Sequence, residues 1–227
     1  MGLNKTIEDK LNEGRSYRNV HDFEIRIAED GAESEERIAE GYATTFNEPY
    51  ELFQWDDFNG YRVHFMEQVD PAAFAHCNMK DTIMQYNHEG RVFARVSNGT
   101  LELHTDGHGL RIKADLGGTE LGRQLYEEIK GGYTNRMSFG FTVRKDRRTD
   151  ERDEENKIRI ITRTITDIST LWDVSAVSIP ANDGTEISAR SWCDGVIAQL
   201  TEEFRKAEEE KRQRQIQKIR ILSMLHQ

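Results

Sequence analysis

A serine can do chemistry only if its surroundings give it room and a base, so the serines with the clearest local pattern come first. Ser138 lies in Arg136-Met137-Ser138-Phe139-Gly140-Phe141-Thr142-Val143. At period 2, Met137, Phe139, Phe141 and Val143 point one way, and Ser138, Gly140 and Thr142 the other. That predicts a half-buried strand with a serine on its open face. Gly140, on the same face, carries no side chain and leaves room for an extended backbone to approach. By itself such a serine is a structural residue; a nucleophile also needs a base and a group that orients the base. His88 is the best candidate base, because Asn87-His88-Glu89-Gly90 forms a turn after a short strand and can present an imidazole over a sheet edge. Asp173 is the candidate acid. It interrupts Leu171-Trp172-Asp173-Val174-Ser175-Ala176-Val177, a strand apolar on both faces, where a carboxylate is costly unless it is paired. It reads either as a solvated acid at a strand entrance or as the acid that orients a histidine.

Other chemistries find less support. His104 and His108 flank a Gly-rich turn with no third ligand in view, and nothing matches HExxH, a zinc finger or a phosphate loop. The expectation is therefore no metal and no cofactor. The 227-residue chain has a net charge of −10, which argues against a general nucleic-acid binder. No apolar run approaches a membrane span, and the start Met1-Gly2-Leu3-Asn4-Lys5 lacks a signal-peptide core. Cys77 and Cys193 form no CxxC pair and suggest a reducing cytoplasm, although a single disulfide stays open.

The elements that must position these residues read mostly as strands. Residues 1–21 are polar and aperiodic, which predicts a mobile arm. Strands are expected at Phe23–Ile27, Arg37–Ala43 and Tyr61–Val69, with a surface loop over 52–60 anchored by Trp55 and Phe58. Asp70-Pro71 opens a predicted short helix to about Lys80, by capping and by proline at the first helical position. Strands at Thr82–Tyr86, Arg91–Val96, Thr100–Thr105 and Leu110–Leu116 read as an antiparallel meander, with Ser97-Asn98-Gly99 as a hairpin turn. Thr119 caps a helix whose Leu121, Leu125 and Ile129 share one face, and Gly131-Gly132 ends it. The charge run Arg144–Lys157 predicts a long mobile hairpin tip, and the chain returns as a strand from Ile158. So many short strands favour a sheet curled into a barrel.

These motifs, taken in order, resemble the tailed-bacteriophage prohead serine proteases. The resemblance rests on Arg37-Ile38-Ala39-Glu40-Gly41-Tyr42-Ala43 with Phe46-Asn47, and on Asp70-Pro71-Ala72-Ala73-Phe74. It continues through Asn87-His88-Glu89, Asp106-Gly107-His108-Gly109-Leu110 and Met137-Ser138-Phe139-Gly140-Phe141. It ends at Trp172-Asp173-Val174-Ser175-Ala176-Val177 followed by Pro180-Ala181-Asn182. Each motif is loose; their shared order over about residues 23–190 makes the match specific. The family is similar in fold to the herpesvirus capsid-maturation (assemblin) proteases. The implied fold is mostly β with helices (α+β), a closed antiparallel β-barrel ringed by helices.

The resemblance implies roles. Ser138 would be the nucleophile, His88 the general base and Asp173 the orienting acid. The family often carries glutamate at the last position, so Asp167 or a second histidine stays open as third member. Backbone N–H groups near Ser138, or a water held by an arginine, would serve the oxyanion. A protease domain over 22–190 would act in the host cytoplasm, inside the assembling prohead. Its partners would be the major capsid protein with its scaffold segment as substrate, and its own chain, with self-association open and no nucleic acid or membrane. Beyond it, 191–227 reads either as a solvated tail or as an amphipathic partner helix, with Trp192, Val196, Leu200, Phe204 and Ala207 in one stripe. Two other readings compete: a non-catalytic barrel serving as scaffold or assembly factor, and a metal-binding protein built on His104 and His108.

Overall fold

The computed structural model describes the backbone of residues 16–27, 37–178 and 187–225, and the side chains of 37–178 and 197–219. Among the described residues ten strands make one branched sheet. They are β1 Ser16–Ile27, β2 Ile38–Thr45, β3 Tyr50–Asp56, β4 Arg62–Val69 and β5 Ile83–Tyr86, then β6 Glu89–Arg95, β7 Leu101–Thr105, β8 Gly109–Asp115, β9 Arg136–Asp153 and β10 Ile158–Val177. Helix α1 spans Glu120–Lys130 and helix α2 spans Ile187–Leu225.

The main path runs β3-β4-β10-β9-β1-β2-β8-β7, with β5 and β6 branching from β10. The expected closed barrel is not formed. The terminal strands β3 and β7 do not pair with each other, so the sheet is open. Nor is it wholly antiparallel, because β10 pairs parallel with both β4 and β5. The reason lies in the length of β10. Its first part, Ile158–Ile165, takes β4, and its later part, Asp173–Ala176, takes β5 on the edge away from β9. One edge thus serves two partners, and the sheet forks there.

Several local expectations change for physical reasons. The charge run after Val143 is not a loop. It continues β9 to Asp153, and only Glu154–Lys157 turns. Both faces there are exposed, so no apolar alternation marks it; cross-strand ion pairs take that role. Arg159 grips Asp150 with two bonds of 2.8 and 2.5 Å, and Arg163 bridges Asp146 at 2.6 Å and the fully buried Glu67 at 3.0 Å. The segment 50–56 is a strand rather than a loop, stacked on β4 through Phe53 and Phe65. The stretch after Asp70 forms successive tight turns instead of a helix. Asp70 Oδ1 accepts from the Ala72 N–H, and the bonds Ala73→Asp70, Ala75→Ala72 and Cys77→Phe74 each span three residues. Val96–Asn98 is a single 3-10 turn before Gly99, and it joins β6 and β7, which do not pair with each other. The first strand starts at Ser16, inside the stretch read as an arm, and pairs with β9.

The core lies on one face of β9 and β10. Met137, Phe139 and Phe141 are fully buried with Ile165, Ile168, Leu171, Val174 and Ala176, and Phe139 stacks on Phe141 at 4.5 Å. Helix α1 begins as expected, with the Thr119 hydroxyl accepting from the Gly122 N–H at 3.0 Å. Its buried face is Gly122, Leu125 and Ile129, while Leu121 is exposed. Helix α2 belongs to a second compact unit. Its own surface carries ion pairs one turn apart, Glu202 with Arg205 and Lys206, and Glu210 with Arg214.

Candidate active site

Three elements meet at the site. β9 contributes Ser138, β10 contributes Asp173 and Ser175, and the β5–β6 turn contributes His88. In the antiparallel β9/β10 ladder, Ser175 lies opposite Ser138 and Asp173 opposite Gly140, so all four positions share a face. The alternating core residues Val174 and Ala176, opposite Phe139 and Met137, hold that register from the other face.

Asp173 reaches this face through an irregularity. Leu171 pairs with Phe141 and Asp173 with Gly140, so two steps along β10 match one step along β9. Trp172 is the extra residue of a β-bulge. In a regular strand Leu171 and Asp173 would point the same way. The bulge leaves Leu171 in the core with Phe141 and turns Asp173 to the serine side. The indole N–H of Trp172 donates to the Thr142 hydroxyl at 2.9 Å and ties the bulge to β9.

His88 is delivered by a two-residue hairpin. Tyr86 pairs with Glu89, and the two residues between them, Asn87 and His88, have φ of 52° and 61°. Two successive left-handed residues make the tight turn that suits hairpin twist, in which asparagine is at ease and the second position favours glycine. A histidine there is strained backbone at a candidate functional position. Asn87 anchors the turn to the end of β10. Its N–H donates to the Ala176 carbonyl at 3.0 Å, and its side-chain oxygen accepts from the Ser178 N–H at 3.2 Å.

The side chains then form a line. His88 Nδ1–H donates to Asp173 Oδ1 at 2.5 Å, and Nε2 faces the Ser138 hydroxyl in a short hydrogen bond. Ser175 Oγ donates to the same Asp173 oxygen at 2.8 Å and lies 3.2 Å from His88 Nδ1. Asp173 is buried, and these donors meet the cost of holding a carboxylate away from water. The serine face is not open as the sequence implied: Ser138 has no exposed surface. An acceptor at one ring nitrogen fixes the proton on that nitrogen, and the other is left to accept a proton from a hydroxyl. A hydroxyl in this line can pass its proton to Nε2, which is the first requirement of a nucleophilic serine.

All three residues singled out in the sequence, His88, Ser138 and Asp173, meet here. The alternatives for the third member lie elsewhere. Asp167 pairs with Arg144 at 3.2 Å, His104 is on β7, and His108 packs edge-on against Tyr42. Backbone donors along β9 are engaged as well. From Met137 to Phe141 the strand has β1 on one edge and β10 on the other, so its N–H groups go to the ladders. Ser175 has no signature of its own in the sequence beyond its place two residues from Asp173. Among the described residues no group of three or more His, Cys, Asp or Glu side chains is placed to hold a metal ion.

Comparison with known proteins gives a family and no close relative. No curated protein matches the chain, and no solved structure does. The family model for the caudovirus prohead serine protease matches residues 21–195, a span that contains β9, β10 and the β5–β6 turn with all three aligned side chains. With most of its length matched by that model, the chain belongs to the caudovirus prohead serine protease family.

Proposed function

We propose that this chain is a serine endopeptidase of prohead maturation that uses Ser138, His88 and Asp173 as one catalytic unit. Its substrates are the scaffold, or a scaffold-like segment of the major capsid protein, and its own chain. Membership of the family gives the coarser part, a serine protease that acts on capsid proteins inside the assembling prohead. The observation that carries the finer part is the continuous line from Asp173 through both ring nitrogens of His88 to the Ser138 hydroxyl.

The chemistry follows from that line. Ser138 Oγ attacks the scissile carbonyl carbon, and its proton passes to His88 Nε2. Asp173 holds the imidazole by Nδ1 and offsets the charge it gains. The C–N bond breaks as Nε2 returns the proton to the leaving amine, which leaves an acyl group on Ser138. Water then attacks the ester, gives a proton to His88, and releases the acid as the proton returns to Ser138. Because Ser138 has no exposed surface, the groups over it must part before a substrate carbonyl can reach it. Among the described residues no helix is long and apolar enough to cross a membrane.

The test is exposure of the full chain to diisopropyl fluorophosphate over hours, followed by peptide mass spectrometry. Ser138 Oγ displaces fluoride from phosphorus, so one phosphoryl group is expected on Ser138. None should appear on Ser138 in His88→Ala. Labelling at other serines only, or at none, would favour the non-catalytic assembly factor. Coexpressed with its capsid protein, the wild type should shorten that protein and itself, while Ser138→Ala should not. On that substrate Ser138→Ala and His88→Ala should each cost on the order of 10⁵–10⁶ in turnover, and Asp173→Asn about 10²–10⁴.

A further inference from the structure

We propose that Ser175 is a positioning residue of this site, acting on His88 through the Asp173 carboxylate; the inference rests on the proposed function and adds a fourth member to it. The topology makes position 175 special. Strand β10 lies between β9, which carries Ser138, and β5, which leads into the His88 turn. An imidazole from that turn must cross β10 to reach Ser138, over roughly two strand spacings of about 4.8 Å. Ser175 is the residue under the crossing, since it pairs with Ser138 on one side and with Gln85 on the other. A larger side chain there would stand in the path of the ring. A hydroxymethyl group is small enough to pass beneath it and still carries a donor.

The donor is used. Ser175 has no exposed surface, and its Oγ donates to Asp173 Oδ1 at 2.8 Å, the same oxygen that takes His88 Nδ1–H. The same Oγ lies 3.2 Å from that Nδ1. Without the hydroxyl the carboxylate would lose one neutral donor on Oδ1 and would be held less firmly about its last bond. The imidazole hangs on that carboxylate, so its alignment with Ser138 Oγ would loosen. Hydrogen bonds to charged groups are the strong ones.

A double-mutant cycle tests this, with the rate of phosphorylation of Ser138 by diisopropyl fluorophosphate as the readout on the full chain. Ser175→Ala removes one oxygen and adds nothing, so the strand keeps its packing. In the wild-type background it should slow the bonding step about 10- to 100-fold, the size set by one hydrogen bond to a charged group. The concentration of probe giving half the maximal rate should stay the same. In the Asp173→Asn background the same change should cost less than about twofold, because the carboxylate through which it acts is gone. A structural defect would slow both backgrounds by the same factor. Equal losses in the two backgrounds, or no loss in the first, would overturn the role of Ser175 and leave the proposed function standing. Failure of the wild type to label at Ser138 would remove the proposed function and this inference together.

Discussion

Exchanging His88 for glycine and for alanine should separate the strain of its backbone from the use of its side chain. Asn87 and His88 sit at φ 52° and 61° in a two-residue hairpin closed by Tyr86 and Glu89. Both variants lose the imidazole, and with it the same bonds to Asp173 and Ser138, so those losses cancel in the comparison. What differs is Cβ. A residue with a Cβ in the left-handed region costs about 1–2 kcal/mol. Glycine escapes that cost but gives up roughly 0.4–1 kcal/mol more chain entropy on folding. The difference leaves His88→Gly more stable than His88→Ala by about 1 kcal/mol. For a chain of this size that raises the thermal midpoint by about 2–4 °C.

The sign is informative because it reverses the ordinary one. At an extended strand position alanine would be the more stable variant. The assay is thermal or urea unfolding of both variants in a Ser138→Ala background, where no residual cleavage can blur the transitions. Alanine equal to or above glycine would refute the turn geometry, and with it the account of how the imidazole is aimed across β10. Glycine above alanine would mean that the native histidine sits in a conformation its own backbone disfavours. Strain of this kind persists where surrounding contacts over-determine the residue, here the Asn87 anchors and the bonds of the ring.

Three further outcomes are expected. Gly122→Ala in α1 should destabilise by about 1–3 kcal/mol even though alanine is the better helix former, because a Cβ there would sit 2.3 Å from the Leu116 carbonyl oxygen; a rise in thermal midpoint would refute the contact. Arg163→Met should cost about 3–5 kcal/mol, since it takes the guanidinium away from the fully buried Glu67, which also accepts from the Tyr50 hydroxyl at 2.8 Å; urea unfolding should show Tyr50→Phe far milder, and equal costs would locate the stability elsewhere. The Asp106 carboxyl is held down at about 2, first by the Tyr42 hydroxyl and then by the Gly109 and His108 N–H groups. A depressed carboxyl stabilises above its ordinary range and loses that contribution as pH falls through its folded value. The midpoints of wild type and Asp106→Asn should therefore converge between about pH 4 and pH 2, and parallel curves would refute the pairing.

How much of this could be read in the sequence depends on which face of an element carries information. β9 was legible from Arg136 to Val143, because Met137, Phe139 and Phe141 alternate with small polar residues and enter the core. Its continuation to Asp153 was not, because both faces are wet and the pairing energy comes from arginine–acid pairs with residues of β10. α1 was legible from its cap and its ending glycines. The open, forked sheet was not, since nothing local says that one edge of β10 takes both β4 and β5.

At the site the limit is sharper. His88 and Ser138 each had a local signature, a presenting turn and a small polar face. Asp173 had only an anomaly, an acid in an apolar strand. Period 2 places it with Leu171, on the core face, where it could never meet Ser138. The bulge at Trp172 breaks that period once, and every later residue of β10 changes side: Asp173 and Ser175 go to the serine, Val174 and Ala176 to the core. A strand reading without the bulge would bury Asp173 against Phe141 and present Val174 to the imidazole. The extra residue is thus what converts an unfavourable core acid into the group that holds His88. No pattern of residue types announces it, because a bulge is a property of the register between two strands and not of either strand alone.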